Sequence, residues 1–124
     1  MRKDIQNRSD IIRLVDAFYD KIKTDQVIGF IFNDVAQVNW EDHLPKMYDF
    51  WDNVLFFTGN FDGNPMQKHK ELHNKCPLTH AHFNHWNEVF RQTVDELFVG
   101  EKAEEIKERA KNISDVIMYK TINL

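Results

Sequence analysis

A chain of 124 residues has room for one hydrophobic core and hence one domain, and 42% hydrophobic with 29% charged residues mark it as globular rather than disordered. Sixteen basic against twenty acidic side chains give a formal charge of −4, so neither nucleic acid nor an anionic membrane is an expected partner. No run approaches the ~18 apolar residues of a membrane span.

The opening MRKDIQNRSD has charges but no apolar run behind them, unlike a secretory signal. With Cys76 the single cysteine, no internal disulfide can form, and a reducing, cytoplasmic setting is expected. From Ser9 to Lys23 the positions Ile11, Ile12, Val15, Phe18, Tyr19 and Ile22 recur at spacings of three and four, which predicts an amphipathic helix with Ser9 as its N-cap. Tyr19 shares the inner stripe, so its hydroxyl needs a polar partner. DQVIGFIF, from Asp25 to Phe32, reads as one or two helical turns interrupted by Gly29. Asn39 is placed to cap a helix running to about Phe57, with His43, Met47, Phe50, Trp51 and Val54 along one stripe. Pro45 predicts an irregular first turn there, or a helix that starts near Leu44.

TGNFDGNP, residues 58 to 65, is dense in turn formers and reads as a loop. MQKHKELH after it suits a helical turn or two. Thr79 predicts the cap of a long helix to about Phe98, with Phe83, Trp86, Phe90, Val94 and Leu97 facing inward. Gly100 ends that helix, and a last amphipathic helix spans Glu101 to about Lys120. Nothing alternates with period two for long enough to be a strand. The expected fold is all-α, with four substantial helices and two short ones.

Six histidines, at 43, 69, 73, 80, 82 and 85, invite three chemistries. His69 and His73 stand four apart as in zinc-protease helices, but Lys70 occupies the position of the glutamate base, and one cysteine is too few for structural zinc. Nucleophilic catalysis lacks an elbow serine, since only Ser9 and Ser114 exist, both in helical or capping positions. His80, His82 and His85 suit a helix start. The third chemistry is a flat apolar cofactor: haem iron takes a neutral imidazole on one face and needs a sheltered cavity with a donor on the other. His69, between two loops, could approach end-on, and His43, Met47 and Tyr19 could form the opposite wall. The stripe alone equally suits a core helix with a hydrogen-bonded histidine.

Phe18-Tyr19, IGFIF at 28 to 32, WEDHLPKMYDFW at 40 to 51, GNPMQKHKELH at 63 to 73, PLTHAHFNHW at 77 to 86 and TVDELF at 93 to 98 together closely resemble the truncated haemoglobins, and among them the third group. The absence of Gly-Gly pairs also fits that group. The resemblance implies a shortened globin, a two-over-two helical sandwich enclosing haem b, iron protoporphyrin IX. It makes His69 the proximal iron ligand, Tyr19 the principal distal donor, His43 the distal histidine, Met47 its apolar neighbour and Trp86 the indole closing the distal pocket. Phe18, Phe32 and Trp51 would line or back the pocket, and Lys46 would pair with a haem propionate. Cys76 and Asn87 depart from what relatives would be expected to carry.

The implied function is reversible binding of dioxygen and related diatomic ligands by a monomer. An enzymatic alternative is nitric oxide oxidation or a peroxidase-like reaction, for which a separate reductase would have to supply electrons. A third, of another kind, is a helical interaction module without cofactor.

Overall fold

The computed structural model describes residues 2–59, 61 and 63–122, and its regular elements are helical: α1 (Arg8–Lys23), a π-helix (Ile31–Val35), α2 (Trp40–Phe56), α3 (Pro65–Lys75), α4 (His80–Leu97) and α5 (Glu101–Ile122). A single β-bridge, Lys3 with Phe98, stands outside them. No helix among the described residues is long and apolar enough to cross a membrane.

Asn7, not Ser9, caps α1, its side-chain oxygen accepting from the Asp10 backbone N–H at 3.1 Å. Both residue types cap well, and the bridge at Lys3 sets where the chain arrives. The segment expected to make a turn or two differs more. It enters a helix at Gly29 and widens into the π-helix, where Ala36 N–H reaches the Ile31 carbonyl at 2.8 Å. A Cβ at Gly29 would stand 2.9 Å from the Ile22 carbonyl, so glycine is what lets this segment close on the end of α1.

Helix α1 packs on α2 and α4, and α5 underlies α2, α3 and α4. Their shared core holds Leu14, Phe18, Trp51, Leu55, Phe90 and Ile106, each buried. Asn87, the polar departure noted above, is buried between α4 and α5 and donates to Ser114 Oγ at 2.8 Å, so its amide is satisfied inside the core. Arg8 at the start of α1 reaches Asp49 at 2.8 Å and the buried Asp52 at 3.1 Å, fixing the approach of α2.

The last helix is capped from far away in sequence. The Asp4 carboxylate accepts from the Lys102 and Ala103 backbone N–H groups at 2.9 and 2.8 Å, satisfying two donors that the first turn leaves open. Gly100 makes room for it: φ is 146° and a Cβ there would lie 2.4 Å from Asp4 Cγ. Burial would raise the Asp4 pKa, but these two donors and the Ile5 backbone N–H outweigh it and hold the group below its ordinary value. Its contribution is therefore present above the ordinary carboxylate range and lost as pH falls through the lowered value. Asp4→Ala should cost about 0.5–2 kcal/mol of unfolding free energy at neutral pH in denaturant titration, and this loss should shrink in acid.

Candidate functional site

Asn39 caps α2 as expected, its side chain accepting from Glu41 and Asp42 N–H at 3.1 and 3.4 Å. The helix then begins at Trp40 and runs unbroken through Pro45, rather than starting near Leu44. The reason is local. A proline at this place forfeits one bond to the carbonyl of Glu41, an exposed residue, while the cap and the His43 N–H bond to the Asn39 carbonyl (2.8 Å) complete the first turn. The stripe read along this helix divides in two. Trp51 and Leu55 are buried in the core, whereas His43, Met47, Phe50 and Val54 are half-buried and only lean against it.

Around the start of α2 lies a group of rings. His43 stands edge-on to Tyr19 (centroids 5.3 Å apart, planes at 83°) and to Trp40 (5.6 Å, 83°). Trp40 is stacked on Phe32 from the π-helix at 6.2 Å, and Phe32 meets Tyr19 at 6.1 Å. Phe18 touches both Tyr19 (4.9 Å) and Trp86 (5.3 Å) edge-on. Trp86 is stacked on Phe90 and Trp51, which fixes its plane. Helix α1, the π-helix, α2 and α4 thus bring Phe18, Tyr19, Phe32, His43, Trp51 and Trp86 into one connected set. Lys46 is exposed at the rim of α2.

Two polar atoms in this set lack protein partners among the described residues. His43 Nε2 is buried without a hydrogen bond, and burial, with a smaller push from Lys46, lowers the His43 pKa. Tyr19 is 4% exposed, and burial alone drives its pKa well above the ordinary value, with no hydrogen bond contributing. Other buried polar groups, such as Asn87 and Thr93, are satisfied, while Thr121 Oγ1 in α5 is the other buried atom without a partner among the described residues. At the ring wall around Tyr19 and His43, by contrast, two open polar groups stand side by side, which a polar ligand would complete.

Helix α3 carries the other histidine singled out from the sequence. It spans eleven residues, longer than the expected turn or two, because Asn64 accepts from the Gln67 N–H at 3.0 Å and Pro65 begins the first turn. Its backbone packs on α5, and none of its residues is buried. His69 is half-buried, beside Phe83 of α4 at 6.4 Å. Its Nδ1 lies 2.6 Å from the Pro65 carbonyl. A carbonyl only accepts, so Nδ1 carries the proton and Nε2 keeps its lone pair, directed away from that carbonyl. Burial lowers the His69 pKa and so favours the neutral ring, an effect the bond to Pro65 only partly offsets. A neutral imidazole with its second nitrogen held by a backbone carbonyl is the donor that haem iron takes.

Three of the remaining histidines are engaged in structure, and the fourth, His80, is exposed at the start of α4. His73 Nδ1 accepts from Leu78 N–H at 2.8 Å, His82 Nδ1 accepts from Thr79 N–H at 3.1 Å in a capping box, and His85 Nε2 donates to Asp25 at 2.7 Å. The sequence assigns Trp40 no role and Phe83 only a place on the inner stripe of its helix. Trp40 precedes His43 by one helical turn, a signal that was available; Phe83 meets His69 only through the packing of two helices, which the sequence does not show.

Helices α1, α2, α4 and α5 packed on one another, with α3 standing on α5, agree with a shortened globin. The bacterial-like globin family model matches residues 4–119, and the chain belongs to that family. It is 28% identical over 117 residues to a group 3 truncated hemoglobin of Campylobacter jejuni, covering 92% of this chain and 90% of that protein. The crystal structure of group III truncated hemoglobin from Campylobacter jejuni aligns with a TM-score of 0.84 at 26% identity, covering 98% of this chain and 95% of that one. Both relatives bear out the likeness to the third truncated group, and a globin implies a haem cofactor.

Because His43 and His69 both have folded pKa values below the ordinary 6.5, the unfolded chain binds more protons than the folded one between the two values. Stability should therefore fall as pH drops through that window. Thermal melts of His43→Leu across the same window should show a shallower fall than the parent; identical slopes would remove His43 from this linkage.

Proposed function

We propose that this chain is a haem b protein that takes up dioxygen or a related diatomic ligand reversibly and holds it strongly. The observation that carries the reading is a neutral His69 with its tautomer fixed by Pro65, in the same fold as a ring wall where Tyr19 and His43 Nε2 have no protein partner among the described residues.

In this reading His69 Nε2 is the proximal iron ligand, and Met47, Phe32 and Trp51 line or back the cofactor's apolar surface, with exposed Lys46 available to a propionate. Haem supplies an iron centre on which a small ligand binds. The chain supplies the rest. Tyr19 donates its hydroxyl proton to the ligand, and its raised pKa keeps that proton in place at neutral pH. Trp86, stacked in a fixed plane, offers a second donor without paying further ordering entropy, and Phe18 holds Tyr19 and Trp86 in register. His43 shields the space and offers Nε2 to it.

Each neutral hydrogen bond to the ligand is worth about 0.5–1.5 kcal/mol, roughly up to tenfold in affinity. Two such donors favour retention over delivery, which suits scavenging or sensing. One chain carries the full set of pocket side chains, so a monomer suffices, and the lone Cys76 thiol suits the cytoplasm. Any turnover of the bound ligand draws electrons from a separate donor.

His69→Ala should abolish the intense violet absorption band of the purified protein, with the fold retained by circular dichroism; a band of native position and strength would refute the proximal assignment. Tyr19→Phe should speed dioxygen release by roughly tenfold in stopped-flow displacement by carbon monoxide, and an unchanged rate would remove Tyr19 from the donor role.

A further inference from the structure

The distal wall contains one large side chain to which the reading above gives no task. Trp40 lies one turn before His43 on α2 and presents its indole at 83° to the imidazole, 5.6 Å centroid to centroid. Tyr19 meets the same imidazole from the other direction, also at 83° and at 5.3 Å, and Trp40 and Tyr19 touch each other at 5.4 Å. His43 therefore sits between two ring walls. It has no hydrogen bond to hold it there: its Nε2 is buried and unpartnered among the described residues. Its place depends on packing alone.

Trp40 is itself held from two sides. Phe32 of the π-helix is stacked on it at 22°, and the Lys23 ammonium at the end of α1 stands 5.0 Å from its ring centroid, a cation–π contact. The Lys23 carbonyl in turn accepts from Asn33 Nδ2 at 2.8 Å, which ties the end of α1 to the segment that carries Phe32.

We propose that Trp40 is a positioning residue: it keeps the His43 imidazole turned inward against Tyr19, so that access to the distal space is set by the indole and its anchors rather than by the imidazole alone. The inference rests on the haem reading for its functional meaning and on the ring geometry for its substance. Edge-to-face contacts shift an in–out ratio by roughly twofold to tenfold each. Without Trp40, the uncompensated Nε2 has every reason to leave for water, because an unmade hydrogen bond is the costlier state.

The test is nuclear Overhauser contact between the His43 and Tyr19 rings, measured on the protein as purified and in its carbon monoxide form where it carries haem. The parent should show the contact, Trp40→Leu should lose most of it, and Trp40→Phe should restore it, since a flat ring still presents a face and an edge. Lys23→Met, which leaves the core untouched, should weaken it severalfold. In the carbon monoxide form, association should quicken about severalfold in Trp40→Leu, and adding His43→Leu should bring no further gain. An undiminished ring contact in Trp40→Leu, or in Lys23→Met should the first variant not fold, overturns the proposal. So does a gain in association rate that is the same with and without His43. Failure of the parent to carry haem would instead undo the functional reading, and the ring contacts would still decide the role of Trp40.

Discussion

Packing against α5 supports three of the other helices, α2, α3 and α4. The effect is plainest in α3, where no residue is buried. Met66 and Leu72 are half-buried, Leu72 against the core, and the helix stands on α5. The half-buried face of α2 has the same character, with Trp51 and Leu55 in the core and His43, Met47 and Phe50 outside it.

The polar side chains follow the same division. Where they serve the fold they are paired: Asp25 receives two backbone N–H groups and His85 and is held below its ordinary pKa despite burial. Tyr48, pushed up to about 12 by burial and by its bond to Asp16, ties α2 to α1. Around Tyr19 and His43 two neighbouring groups go unpaired, where α5 leaves only the single Thr121 Oγ1 so. An unmade buried hydrogen bond costs about 1–3 kcal/mol, and folds tolerate such costs chiefly at functional positions.

How much of this could be read from the chain depended on the range of the responsible interaction. Asn39 and Thr79 cap their helices as expected, since a cap acts over three residues. Asn7 displaced Ser9 because two good caps stood two residues apart and the local signal does not rank them. The turn or two expected after α1 is present but starts at Gly29 and is wound as a π-helix, which depends on how Gly29 closes against Ile22 and which no periodicity encodes. Helix α3 was underestimated because its apolar positions are few, although Asn64-Pro65 announces its start. At the wall, the family likeness named the ring positions, and the structure brings them together. It also adds Trp40, whose task follows from its contacts and not from its place in a motif.

The closure of Asp4 over the start of α5 differs in kind from the caps at Asn39 and Thr79, which act within three residues. Its partners Lys102 and Ala103 lie almost a hundred positions away, so this cap exists only when the whole fold is closed. The first turn of α5 is therefore completed by tertiary structure, and a disturbance of the arm that carries Asp4 reaches the helix on which α3 stands.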